Sequence, residues 1–320
     1  MNILVYGAGV IGSLYAGRLQ RGGQRVTLLA RGQRRSDVDR HGLVLEDLLT
    51  GARSAAGVET VERLVPDDHY HLVIVTVRRD QLDDVLPELS ANRQVPTFLF
   101  MLNNPIGLPR LIESLGERVL LGFPGAGGTR EGHTVRYAMI AQQPTTLGEP
   151  GGHGSFRLNE VVKAFRASGF KTRQEHNMDA WLKAHAFFVT AIGAAIYLAA
   201  GNCQQLSKDR ATLRLMVNGV REGFEAVQAL GLPVTPFALK LLFNWLPPAF
   251  AVSYWQRFFA TDTADYIFGR HSRDASAEMR ELADDCRIIL RSVGTRQSSL
   301  HQLYAAIDSY VAHSAPCVGA

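Results

Sequence analysis

At 320 residues the chain is too long for one ordinary domain, so two are expected; its 46% hydrophobic content is enough for real cores. The 34 basic and 30 acidic residues leave a formal charge of +4 spread along the chain, which argues against a nucleic-acid partner. Cys203, Cys286 and Cys317 lie far apart without metal-ligand spacing, so we expect reduced thiols, no metal site and, with no basic leader before the first strand, a cytoplasmic protein.

The chain begins with Asn2-Ile3-Leu4-Val5-Tyr6, a mostly β-branched and apolar run that reads as a buried parallel strand. It runs into Gly7-Ala8-Gly9-Val10-Ile11-Gly12, a G-x-G-x-x-G turn, and then into apolar residues at helical spacing over residues 13–19. A polar turn and a second strand over residues 25–30 follow, ending on Arg31. Gly7 permits the tight turn, Gly9 lets backbone approach a pyrophosphate, and Gly12 lets the helix pack on the strand. The exposed N–H groups and the helix dipole then hold the phosphates. The strand before, the helix after and the second strand at the expected distance supply the context this motif needs. Glycines that serve packing alone are the competing reading. At the tip of the second strand an NAD site wants Asp or Glu, whereas this chain has Arg31, then Arg34 and Arg35, and no acid until Asp37. A guanidinium suits a 2′-phosphate, so NADP(H) is expected.

Beyond a polar, arginine-rich connection, strands are expected over residues 42–45, 71–77, 96–102 and 118–123, with helices over 81–89 and 111–115. This alternation predicts a doubly wound parallel sheet whose ligand lies beyond the carboxyl ends of the strands. Arg78, Asn103 and Asn104 follow strand ends and are candidates for cofactor or substrate contact. Residues 122–132 read as turns and a flexible connection, and 135–141 with 144–148 as antiparallel strands closing the sheet. A helix over 157–168 and an edge strand over 170–174 complete this half. From Met178 the pattern turns helical, over 178–199, 210–230, 236–243, 275–293 and 299–312, broken by Trp245-Leu246-Pro247-Pro248. The apolar stretch 184–200 is rich in Ala and short for a membrane span, so it reads as a buried core helix. The fold class is therefore α/β, with an N-terminal Rossmann-type doubly wound sheet (residues 1–175, binding NADP(H)) and a C-terminal all-helical domain (176–320). The second domain is expected to carry the substrate site and a homodimer contact through the apolar helices at 213–230 and 239–243.

The chain resembles the ketopantoate reductase family, NADPH-dependent enzymes that reduce 2-dehydropantoate to pantoate. The resemblance spans the whole chain. It rests on Gly7–Gly12 with Arg31, on Val75-Thr76-Val77-Arg78 and on Asn103-Asn104-Pro105-Ile106-Gly107. Further on it includes Asp179-Ala180-Trp181-Leu182-Lys183, Arg221-Glu222-Gly223-Phe224-Glu225-Ala226-Val227 and Ala277-Glu278-Met279-Arg280-Glu281-Leu282. The resemblance implies that Lys183 is the general acid, giving its proton to the carbonyl oxygen as hydride arrives; an ammonium beside a developing oxyanion is sound chemistry. It implies that Glu278 holds the substrate's reacting oxygen, with Glu281 on the same helix as rival. Asn104 would position nicotinamide and substrate, and Arg78 stands where the family usually has Lys.

Two departures bear on the substrate. Phe187 and Ala191, one and two turns after Lys183, replace asparagines that in the family bind substrate, which points to a larger or more apolar ketone or 2-oxo acid. The family's serine ahead of the glutamate falls near Asp265 or Tyr266, and His271 nearby is a candidate substitute acid or carboxylate partner. The expected function is an NADPH-dependent reductase of a ketone or 2-oxo acid. The alternatives are a true 2-dehydropantoate 2-reductase of pantothenate biosynthesis and a non-catalytic NADP(H)-binding sensor.

Overall fold

A computed structural model describes residues 1–314, the side chains of His271 and Ser314 excepted; the readings of His271 and Cys317 lie outside the described groups. The chain forms two compact units, Met1–Leu102 with Gly107–Met178, and Asn103–Ile106 with the residues from Asp179 onward.

In the first unit the order is β1 (Asn2–Tyr6), α1 (Val10–Arg21), β2 (Arg25–Leu29), α2 (Gly32–His41), β3 (Leu43–Asp47), β4 (Arg53–Ala56), β5 (Glu59–Val61) and β6 (Leu72–Val75). Then come α3 (Leu82–Ala91), β7 (Phe98–Met101), α4 (Leu108–Leu115), β8 (Val119–Phe123), β9 (Ala126–Glu131), β10 (Thr134–Met139), β11 (Thr145–Gly148), α5 (Phe156–Ala167) and β12 (Thr172–Gln174). An eight-stranded sheet runs β12-β11-β8-β7-β6-β1-β2-β5, parallel except where β11 meets β8. Strands β6 and β7 are apolar and buried at every residue, as a sheet covered on both faces requires. Register sets Tyr6 beside Leu29 and Val75, so the glycine turn, Arg31 and Thr76 leave the sheet along one edge.

A second sheet, β4-β3-β10-β9, was not expected. The 135–141 run does not close the main sheet; β10 lies parallel to β3, with Val135 opposite Leu45. Residues 126–131 are a strand rather than a flexible connection, and Gly128 pairs with Tyr137. A Cβ on Gly128 would lie 2.2 Å from the Arg136 carbonyl oxygen, so the glycines that hid this strand are what let it pair. The two sheets enclose α1, whose Leu14 and Tyr15 share one core with Ile3 and Val5 on one side and Leu43, Leu45 and Val135 on the other. The arginine-rich connection after Arg31 is helix α2.

The second unit contains α6 (Met178–Leu198), α7 (Cys203–Lys208), α8 (Arg210–Ala229), α9 (Phe237–Lys240), α10 (Pro248–Phe259), α11 (Asp262–Ala264), α12 (Arg270–Asp274), α13 (Ser276–Val293) and α14 (Ser298–Ser314). Helix α6 has 21 residues, so it does reach spanning length; its side chains are nonetheless buried in the core of this unit. On α8, Leu213, Met216, Val217, Val220, Phe224 and Val227 are consumed by that same core. These six side chains therefore present no free apolar face, and the exposed large apolar side chains here include Leu230, Phe237, Leu241, Trp245 and Phe250. Ile106 packs against the helical core, which ties the 103–106 segment to this unit.

Glu222, buried on α8, caps another helix. Its carboxylate accepts the backbone N–H groups of Ser299 at 3.0 Å and Leu300 at 2.9 Å, and the Ser298 hydroxyl at 3.3 Å. These are first-turn donors of α14 that no helical carbonyl can reach, and the negative charge complements the dipole. Glu222→Ala should lower the unfolding free energy by about 1–3 kcal/mol, read as a lower urea midpoint at unchanged m value.

Candidate active site

The glycine turn is built as its sequence requires. Gly7 has φ +113°, where a side chain is strained. A Cβ on Gly12 would fall 1.8 Å from the Gly7 carbonyl oxygen, whereas one on Gly9 would meet nothing within 4 Å. The first contact is close packing; the second is open backbone. Helix α1 starts after Gly9 with no side-chain cap and no acid in its first turn. The amides of Val10, Ile11 and Gly12 thus have neither a capping side chain nor an acid within their own turn, and the Gly9 backbone can be approached, which fits a pyrophosphate. Ala8 lies inside this turn, its carbonyl accepting from Arg34 Nε at 3.2 Å.

The three arginines after β2 divide their roles. Arg34 is buried, with Nη2 2.8 Å from Ser13 Oγ and Nη1 donating to the His133 carbonyl at 3.1 Å; it bolts α2 to the glycine turn. Arg35 pairs with Glu62 at 2.8 Å. Arg31 is the exposed one: Nε donates to the Glu62 carbonyl at 2.9 Å, and Nη2 lies 3.2 Å from Glu88 Oε2 and 3.3 Å from the Tyr6 hydroxyl. An acid therefore does stand at the strand tip, delivered by α3 rather than by the residues after β2. Glu88 also accepts the Tyr6 hydroxyl at 2.7 Å and the Leu64 N–H at 2.6 Å. Burial, with Glu88 next in weight, pushes the Tyr6 hydroxyl up to about 12. Arg78 forms a two-pronged pair with Asp80, at 2.9 and 2.8 Å, which holds the Asp80 carboxyl below its usual range.

The second unit holds the other candidates. Lys183, its side chain 13% exposed, pairs with Asp179 one turn earlier on α6. Asn104 is buried, and neither its amide nitrogen nor its amide oxygen has a protein partner. Glu278 is buried on α13 whereas Glu281 is only half-buried. Glu278 Oε1 lies 3.5 Å from Asn103 Nδ2, and Asn103 Oδ1 lies 3.2 Å from His185 Nδ1. The His185 ring stacks on Trp181, one turn earlier, at 4.8 Å. The structure thus joins Asn103, His185 and Glu278, a set in which His185 was not singled out; the Trp181–His185–Phe188 column at helical spacing was the available signal.

Phe187 and the segment around Tyr266 depart from expectation. Phe187 is fully buried and faces α8, where a Cβ on Gly223 would come 2.4 Å from its ring carbon Cγ. It fills the helical core rather than widening a pocket, and Ala191 is buried with it. Tyr266 lies under the Arg270 guanidinium at 4.9 Å, Asp265 pairs with Arg273 at 2.9 Å, and Arg273 also donates to the Gly201 carbonyl at 2.7 Å. Burial pushes the Cys203 thiol up to about 11 and the Cys286 thiol to about 12, so neither is a nucleophile at neutral pH. Among the described residues no group of three or more His, Cys, Asp or Glu could hold a metal ion.

Comparison with known proteins gives a consistent picture. Residues 3–152 match the family described as ketopantoate reductase PanE/ApbA. The chain is 29% identical over 252 residues to the 2-dehydropantoate 2-reductase of Pyrococcus horikoshii, covering 77% of this chain and 80% of that one. It is 24% identical over 249 residues to the enzyme of the same name from Pyrococcus abyssi, with the same coverage of 77% and 80%. A PanE/ApbA family ketopantoate reductase from Ralstonia eutropha has the same fold, with TM-score 0.78 at 18% identity over 98% of this chain and 99% of that one. So does a D-mandelate dehydrogenase solved with NADH and anilino(oxo)acetate, with TM-score 0.77 at 16% identity over 98% and 99%.

The packing of Phe187 can be tested by stability. Phe187→Ala should cost about 3–5 kcal/mol, measured by chemical denaturation; a ring lining an open pocket would cost far less.

Proposed function

We propose that this chain, whose residues 3–152 match the ketopantoate reductase PanE/ApbA family, is an NADPH-dependent reductase of a ketone or 2-oxo acid. The observation that carries this is Asn104. Both atoms of a buried amide are without a protein partner, and a buried polar group is rarely left so. A ligand carrying both an acceptor and a donor, such as a carboxamide or a hydroxy acid, satisfies it.

The dinucleotide, when bound, supplies the hydride. The amides of the 7–12 turn hold its pyrophosphate, and Arg31 and Arg78 offer guanidinium groups to its phosphates. Lys183 gives its proton to the carbonyl oxygen as negative charge develops there, and Asp179 holds the ammonium in place. Glu278 accepts a hydrogen bond from the hydroxyl so formed, and Asn104 fixes the reacting groups in line. The N-terminal unit thus serves the cofactor and the helical unit the substrate. The identity to the Pyrococcus horikoshii enzyme favours 2-dehydropantoate as one substrate to try. The D-mandelate dehydrogenase of the same fold, solved with anilino(oxo)acetate, puts aryl 2-oxo acids in the panel as well.

Loss of NADPH absorbance with a panel of 2-oxo acids tests the reading. Lys183→Ala should lower turnover by about 10²–10⁴-fold while NADPH affinity stays; unchanged turnover would refute the general-acid role. Arg31→Ala should weaken NADPH by about 10–100-fold and NADH much less. Equal losses for the two would remove the 2′-phosphate assignment.

A further inference from the structure

We infer that His185 is a positioning residue, which sets the carboxylate of Glu278 and the segment carrying Asn104 through the side-chain amide of Asn103. This rests on the roles given above to Glu278 and Asn104.

The chemistry of the three groups fixes their orientation. An amide oxygen only accepts, so at 3.2 Å from Asn103 Oδ1 the ring nitrogen Nδ1 of His185 carries a proton and donates. The Asn103 nitrogen then faces Glu278 Oε1 at 3.5 Å and donates to it. Turning the amide over would set its oxygen against a carboxylate oxygen and its nitrogen against the Nδ1 proton, so the arrangement has one stable sense. All three groups are buried, at 5% exposed for His185, 8% for Asn103 and 4% for Glu278, so each bond acts in a low dielectric.

The ring itself is held from behind. Trp181 stacks on it with an interplanar angle of 9°, and Phe188 meets it at 6.2 Å. The indole fixes the plane of the imidazole, the imidazole fixes the amide, and the amide fixes one carboxylate oxygen. Asn103 also directly precedes Asn104, so fixing its side chain restrains the backbone from which the unpartnered amide projects. Trp181 thereby supports a histidine that lies two residues beyond the lysine.

The test uses two replacements that divide the ring's properties. His185→Phe keeps a ring against Trp181 and removes the donor; His185→Asn puts an amide nitrogen near the place of Nδ1 and removes the ring. His185→Phe should lower kcat by about 10–100-fold with NADPH affinity within about twofold, and His185→Asn should recover most of kcat. In a Glu278→Gln background His185→Phe should cost little more, because both changes break one set. Nitrogen NMR of the wild-type ring should show the Nδ1–H tautomer. Full kcat in His185→Phe, equal losses in both variants, multiplicative losses with Glu278→Gln, or an Nε2–H ring would each overturn the inference. Lys183→Ala and Glu278→Gln in the same assay separate the two failures. If they lower turnover and His185→Phe leaves kcat unchanged, only the positioning role falls. If they leave turnover intact, the reading of the reaction falls, and the tautomer alone then decides whether the hydrogen-bonded set exists.

Discussion

Helix α1 has no slack. Gly12 leaves it close enough to β1 that a single added carbon would overlap the Gly7 carbonyl, and on its other side Gly17 sits where a Cβ would lie 2.9 Å from Leu45. Two sheets therefore grip one helix, and the helix cannot slide or tilt to accommodate a ligand. Its first-turn amides point where the packing aims them. An anion site made of backbone donors is only as good as the rigidity of the helix that carries them. In this chain the second, smaller sheet packs against that helix through Leu43, Leu45 and Val135.

The helical unit solves a different problem, that of placing charged and polar groups in an apolar bundle. Three of them are paired locally or across one short bridge: Lys183 with Asp179, Glu222 with the start of α14, Glu278 with Asn103. Buried charges of this kind cost too much alone and are kept where partners meet them. Asn104 has both of its amide atoms buried without a protein partner, and Trp255 Nε1 and Thr295 Oγ1 in the same unit are also buried without one.

What could be read in advance was what is local. The glycine turn, its flanking strands, the long helices and the lysine one turn after an acid all declare themselves within a few residues. The relations that bring the candidate groups together do not. Arg31 meets Glu88 across 57 positions, His185 meets Asn103 across 82, and Asn103 meets Glu278 across 175. No periodicity spans such distances. Strand β9 escaped because its glycines carry no apolar alternation, and β10 was read as a strand but assigned to the wrong sheet, since register and partner are tertiary choices. Phe187 shows the same limit: its position after Lys183 said pocket, and only Gly223 on another helix says core.

The Phe187–Gly223 contact also constrains how this chain could change. An asparagine restored at position 187 alone would leave a void against Gly223 and an amide with no assured partner in that core. Filling the void demands a larger residue at 223, yet that residue clashes for as long as the ring remains. Neither step is neutral first, so the two positions are locked to each other. The side chain at position 187 is thus held by an interhelical fit, and a smaller polar residue there requires a change at 223 as well.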